Sequence, residues 1–339
     1  MTIRTQRLLY RATVAKPFLT LLLFAGILVQ ATAQTRYTVN RPTMPTVPTH
    51  PPVVDDWSDY NPQNTTSINW ETDYEYAVEV AKCSTRPLLI YLCADGETEI
   101  HADVAALPIV SACRKFDTVI LDDNSIRSGL DRHTLLKLPM DTKITGEDGT
   151  KTTIYSLPEF EHMLGHPGLI VIDFEHIDDP YYGEVVGILP FLRGVCPTTE
   201  QTDTFLGLPP GTLTQRTLTY AVRIHPDQPL SAEGEPAPIV VQMATEHALY
   251  QAERNVLTHQ NFGVRSNRAQ EVLGSGMPSE ICAQSQSGLG LFEGAISSMR
   301  AWRNSSAHWS IAKKSQRYFG YDMARGKNGA WYAVGFFIN

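Results

Sequence analysis

Apolar residues enter this chain as short dense runs separated by polar stretches rich in Pro, Thr and Gly. The first run, Phe18 to Val29, is interrupted only by Thr20 and Gly26. Arg4, Arg7, Arg11 and Lys16 precede it and Ala31-Thr32-Ala33 follows it. A basic segment, an apolar run and a small-x-small triplet, in that order, form the pattern of a secretory signal peptide. The run of about 12 residues falls short of the roughly 20 that a membrane span requires. Residues 1–33 therefore read as a cleaved signal. The mature chain is expected to start near Gln34 and to work in a secreted, periplasmic or cell-envelope location. No later stretch is long and apolar enough to span a bilayer. Residues 34–66, with six prolines among Thr and Asn, read as a solvated linker.

Beyond the linker the pattern becomes that of a folded α/β chain. Trp70 to Ala81 repeats apolar positions at helical spacing, through Tyr74, Ala77, Val78 and Ala81. Pro87 to Cys93 is a continuous apolar run of strand length, the mark of a central strand covered on both faces. A helix is predicted from about Ile100 to Cys113, a strand over Phe116 to Leu121, and a short helix over Leu157 to Gly165. A second buried strand follows at Gly168 to Asp173, with Gly183 to Leu189 as its hairpin partner. Residues 196–237 read as a Thr-, Pro- and Gly-rich connection with one strand-like run, Leu218 to Ile224. In the last hundred residues, Ile239 to His259 reads as a helix with Ala244, Ala248, Ala252 and Val256 as an i, i+4 stripe. Glu280 to Ala283 reads as a short strand, and Phe292 to Trp302 as a second amphipathic helix. Gly320 to Ala324 and Ala330 to Ile338 read as strands joined by the Gly326-Lys327-Asn328-Gly329 turn.

The order helix, strand, helix, strand, helix and two strands over residues 67–195 resembles the thioredoxin fold. Trp70 precedes the first helix, the strand ending at Cys93 leads to Ala94-Asp95 where that family places its redox loop, and Pro167 stands where it carries its cis-proline. The positions of the two redox cysteines fall at about Glu97 to Ile100, and neither is Cys. Thiol–disulfide exchange needs a thiolate and a resolving thiol there, so the resemblance implies a redox-inactive scaffold.

Residues 238–339 resemble the CAP superfamily of cysteine-rich secretory, antigen 5 and class 1 pathogenesis-related proteins. The pieces are Leu257-Thr258-His259 at the end of the first helix and Ser279-Glu280-Ile281, similar to the family's Gly-Glu-Asn box. Ala301-Trp302-Arg303-Asn304-Ser305-Ser306-Ala307-His308 is similar to a bacterial Trp-x-x-Ser-x-x-His variant, and Gly320-Tyr321 precedes the closing strand. The resemblance implies an α-β-α sandwich, abbreviated here because no counterpart of the family's first helix precedes Pro238. It also implies a cavity lined by His259, Glu280, Ser305 and His308. His259 and His308 would be the ligands of a divalent metal such as Zn²⁺, for which two neutral imidazoles are suited. The family's second Glu is absent, with Ser305 near its place. The alternative is that these polar residues only tie the helices to the sheet.

Charge and cysteine usage narrow the function. The formal net charge is −8, and loss of the four signal-peptide cations takes it to −12. An acidic surface argues against nucleic acid as partner. The five cysteines, Cys83, Cys93, Cys113, Cys196 and Cys282, include no Cys-x-x-Cys, and their odd number leaves at least one unpaired. His162 and His166 are four apart beside Glu159 and Glu161, but lack the His-Glu-x-x-His order and read as surface. The first functional expectation is a secreted or envelope binding protein that recognises an extracellular lipid, glycan or protein. The alternative is a metal-assisted hydrolase with His259 and His308 as ligands and Glu280 as general base.

Overall fold

The computed structural model describes residues 68–94, 107–145 and 149–339. The signal peptide, the linker and the Glu97 to Ile100 positions lie outside the described residues. Ile68–Asn339 forms one compact unit.

Helix α1 (Tyr74–Ser84) starts where the Asp73 carboxylate accepts from Tyr76 N, satisfying one of the donors that a helix start leaves free. It buries Ala77, Val78 and Ala81. Strand β1 (Leu88–Cys93) is buried at every position. It lies between β2 (Thr134–Pro139), which runs parallel to it, and β5 (Gly168–Ile172), which runs antiparallel. Strand β6 (Val185–Pro190) closes the sheet as the antiparallel partner of β5, giving the order β2-β1-β5-β6. Helices α2 (Leu107–Lys115) and α3 (Asn124–Leu130) bridge β1 to β2. A small ribbon, β3 (Lys143–Thr145) and β4 (Lys151–Thr153), precedes β5.

Two expected strands are helical. Phe116–Ile120 is a π-helical turn that continues α2, with Phe116 and Ile120 buried. The strand that pairs with β1 is instead Thr134–Pro139, whose alternation of buried and half-buried positions fits a sheet edge. Leu218 to Ile224 lies in and at the end of α5 (Leu213–Arg223), which opens with a capping box between Thr212 and Gln215. It buries Leu218, Ala221 and Val222. These apolar residues recur at helical spacing, one face of a helix rather than of a strand. A helix α4 (Thr199–Leu206), also capped by a Thr-x-x-Gln box, precedes it.

The second sheet is antiparallel, in the order β7-β9-β8: β7 (Pro278–Gln284), β9 (Trp331–Ile338) and β8 (Tyr318–Arg325). Helix α6 (Pro238–Arg254) packs over β8 and β9, and α8 (Leu291–Asn304) and α9 (Ser306–Ala312) pack against β7. Along β7, period-2 alternation sends Ile281 into one core with Trp302 and Phe337, and Cys282 into another with Met243, Ala244 and Phe336. Helix α5 contacts β6, β8 and α8, so one apolar core runs from Leu88 and Ile90 through Leu218 to Met299 and Tyr321. Gly320 permits the closeness of α6 to β8. A Cβ there would stand 2.5 Å from Val240 O and 2.6 Å from Val241 Cα.

No helix among the described residues is long and apolar enough to cross a membrane. No disulfide joins the cysteines among the described residues, and Cys93, Cys113 and Cys282 are buried. No peptide bond among the described residues is cis, so Pro167 departs from the family feature that its position suggested.

Candidate metal centre

Helix α6 ends earlier than its apolar stripe implies. Asn255 adopts a left-handed conformation (φ 52°), and its N–H closes on Ala252 O and Gln251 O, a common way to stop a helix. His259 therefore lies in the loop that follows. Two side chains one turn apart on α6 pin that loop. His247 Nε2 donates to Thr258 O at 2.7 Å, and Thr258 N donates to Gln251 Oε1 at 3.0 Å. Both His247 and Gln251 are buried, so the peptide beside His259 is held from the helix interior.

Glu280 is the third residue of β7, paired with Phe336 of β9. Period-2 alternation puts it on the same face as Cys282, toward α6 and α7 (Phe262–Leu273). Its side chain is 1% exposed, and both oxygens are engaged. Oε1 accepts from His259 Nδ1 at 2.9 Å. Oε2 accepts from Arg265 Nε at 2.9 Å and Nη2 at 2.6 Å, a fork supplied by α7. His247 Nε2 is 3.7 Å from Oε1. Burial alone would raise this carboxyl's pKa. The His259 hydrogen bond, His247 and Arg265 together outweigh burial and hold it below the usual value.

His308 enters from α9. Its Nε2 faces His259 Nε2 at 3.4 Å, and the ring centroids are 5.6 Å apart. The structure thus brings His259, Glu280 and His308 together, from a loop, a strand and a helix. The expected end-of-helix position of His259 is corrected to a loop, and that of His308 to the first turn of a further helix. Ser305 is the cap residue of α9, with its N–H bonded to Trp302 O. Its hydroxyl makes no hydrogen bond within the described residues. His162 meets Glu161 at 3.6 Å, while His166 offers its carbonyl to Tyr155, so these two histidines form no common site.

The donor set can be judged against Zn²⁺. A carboxylate only accepts, so His259 Nδ1 carries a proton and Nε2 is the nitrogen turned toward a metal. Burial, and next His259, lower the pKa of His308, which favours its neutral form. Two nitrogens each about 2.0–2.1 Å from a tetrahedral Zn²⁺ lie about 3.3–3.4 Å apart. The observed 3.4 Å matches the length of that edge. The Glu280–His259 bond is the carboxylate–histidine contact that commonly fixes the tautomer of a metal ligand. His259 is half exposed, which leaves open positions for water or substrate.

A second donor group lies beneath this pair. His247, Glu280 and Cys282 place one ligand atom each within 4.8 Å of one another and form a buried candidate metal-coordinating cluster. Filling it requires His247 Nε2 to release Thr258. It also requires ionisation of Cys282, whose thiol is pushed well up by burial and then by Glu280, while the Arg265 cation stays within 3 Å of the same carboxylate. The outer pair requires a smaller change: the hydrogen bond between the two Nε2 atoms gives way, and His308 carries its proton on Nδ1 instead. The α6 residues His247 and Gln251, and Arg265 on α7, were not selected from sequence. The one available signal was the i, i+4 spacing of His247 and Gln251 on a face of small residues.

No protein-family model matches the chain, and no curated protein is significantly similar to it. Among solved structures it is similar to an outer surface protein from Borrelia burgdorferi at 22% identity, covering 31% of this chain and 77% of that one, with a TM-score of 0.26. Such a superposition does not establish a shared fold, and the site stands on its own geometry.

Proposed function

We propose that this chain is an exported metal-dependent hydrolase whose metal is held by His259 and His308. The observation that carries this reading is the 3.4 Å approach of two Nε2 atoms above a buried carboxylate that fixes one of them. When bound, Zn²⁺ supplies a Lewis acid and lowers the pKa of a bound water toward neutrality. Glu280 keeps the proton of His259 on Nδ1 and aims Nε2 outward. Arg265 occupies the other carboxylate oxygen, so Glu280 serves as the positioning group for His259 rather than as the mobile base expected from sequence. The His247 and Gln251 contacts to Thr258 hold the loop in register. Around the site, the strand order β2-β1-β5-β6 supports a thioredoxin-like scaffold for residues 67–195. Helices on both faces of β7-β9-β8 support a CAP-type reading for residues 238–339.

Calorimetric titration with Zn²⁺, beside chelator-sensitive hydrolysis of p-nitrophenyl acetate, tests the proposal. Wild type binds and hydrolyses, whereas His259→Ala and His308→Ala lose both while remaining folded. Zn²⁺ affinity that is unchanged in His308→Ala, or hydrolysis that survives chelation, refutes it. A second reading, recognition of an extracellular lipid, glycan or protein, is favoured by one observation. A mainly apolar cavity of about 500 Å³ borders α6 at Ala248, Leu249 and Ala252, away from the histidine pair. Ligand capture there would persist in His308→Ala.

A further inference from the structure

Arg216 is a buried cation that makes no direct ion pair among the described residues, although Asp173 lies near enough to act on its charge. It lies on α5, 8% exposed, with no carboxylate of those residues at ion-pair distance. Its Nη1 donates to Leu208 O at 3.0 Å and Pro209 O at 2.8 Å. Its Nε is buried without a partner, and Nη2 makes no hydrogen bond within the described residues. Buried charges are ordinarily paired, because an unpaired one forfeits its hydration with nothing in return. Burial lowers the pKa of this guanidinium to about 10, with Asp173 opposing the shift. Arg265 shows what the same fork does when it is filled: its Nε and Nη2 both close on Glu280 Oε2.

The vacant fork belongs to a residue that lines a cavity of about 390 Å³ beside the ends of β5 and β6, separate from the histidine pair. Apolar wall comes from Val171, Leu206 and Leu208. Asp173 lies there too, but its carboxylate is already occupied. Oδ1 accepts from Glu175 N and His176 N, and Oδ2 from His176 Nδ1 at 2.7 Å. That bond fixes the ring of His176, which lines the cavity and whose Nε2 makes no hydrogen bond to the described residues. The cavity, which Arg132 and Glu175 also line, therefore combines a cation without a direct ion pair, an oriented imidazole and apolar surface.

We propose that this cavity binds a small carboxylate with an apolar body, its two oxygens on Nε and Nη2 of Arg216 and its body against Val171, Leu206 and Leu208. A planar carboxylate matches the guanidinium fork bidentately. The counterion that the fold withholds from Arg216 is then supplied by the ligand. His176 Nε2 is the second polar contact and favours a ligand with a hydroxyl or amide near its carboxylate.

Benzoate is the probe and benzamide its uncharged counterpart. The full chain, ¹⁵N-labelled, is titrated with each while the Arg216 Nε–H resonance is followed, assigned by its absence in Arg216→Lys. Benzoate should shift that resonance saturably and benzamide should not. In Arg216→Met, which keeps the length and loses the charge, benzoate affinity should fall at least about tenfold, the scale of one charge-assisted pair. If Arg216→Met fails to fold, the wild-type comparison still decides. Equal responses to benzoate and benzamide, no shift at tens of millimolar benzoate, or full benzoate affinity in folded Arg216→Met would each overturn the proposal.

Discussion

Glu280→Gln separates two roles that the geometry assigns to one carboxylate. The substitution keeps shape and removes charge. Arg265, whose side chain is 10% exposed, then keeps its bond to Gln260 O but loses the anion that its fork holds. Breaking a buried ion pair from one side costs about 3–5 kcal/mol, a large part of the stability of an ordinary domain. The paired variant Glu280→Gln/Arg265→Met should recover much of that loss, because the penalty comes from the stranded charge. Urea denaturation of the wild type, the single and the double variant measures both. A loss below about 1 kcal/mol in the single variant, or additive losses in the double, would refute the ion-pair account. The metal readout distinguishes positioning from base catalysis. A positioning carboxylate weakens Zn²⁺ binding by about 10–100-fold when altered, whereas a mobile base leaves affinity intact and removes turnover alone. Because the folded state lowers the pKa of Glu280 below 4.5, its contribution is present above that pH. It is lost as pH falls through the folded value, where the unfolded chain already holds the proton.

His133 supplies an independent acid sensitivity. Burial lowers its pKa to about 4, although its bond to Gly129 O opposes the shift. The unfolded chain takes up this proton near 6.5, so stability should fall by about 2 kcal/mol between pH 7 and pH 5. His133→Gln should flatten that slope in urea titrations at the two pH values. Gly320→Ala should cost more than about 1–3 kcal/mol, the usual overpacking range. The new Cβ meets the backbone of α6 rather than a movable side chain, and a thermal melt near that of wild type would count against the close approach. His308→Ala should change stability by less than about 1 kcal/mol, whereas His259→Ala removes a charge-assisted bond to the buried Glu280 carboxylate and should cost about 1.5–3 kcal/mol; chemical denaturation checks both before any metal measurement.

The parts of the fold that were legible are those where burial and periodicity agree. Strand β1 is apolar at every position and buried at every position. The Gly326–Gly329 turn joins two strands that pair antiparallel, as a hairpin turn implies. Phe116–Ile120 misled because Phe, Thr, Val and Ile favour strands by composition, while the local chain continues α2 as a π turn. Helix α7 was missed for the opposite reason. Its buried residues are Arg265, Ser266 and Ala269, so it shows no apolar stripe for a periodicity argument to find.

The candidate site was legible in the same uneven way. His259, Glu280 and His308 stood out because their residue types and order resemble a known constellation. What holds them is chemistry that residue order does not express. Two arginines in this chain illustrate the gap. Arg265 and Arg216 both lie on helices with their guanidinium groups largely buried, and nothing in their neighbouring residues distinguishes them. Arg265 meets a carboxylate 15 positions away because β7 brings Glu280 under α7. Asp173, one of two carboxylates lining the cavity beside Arg216, is taken up by His176 and two backbone N–H groups. One fork is thus satisfied by the fold and contributes to its stability. The other is left for something the described residues do not supply. A buried cation whose partner is missing therefore locates a binding site more specifically than a motif does, because the desolvation it has undergone is compensated only when a ligand arrives.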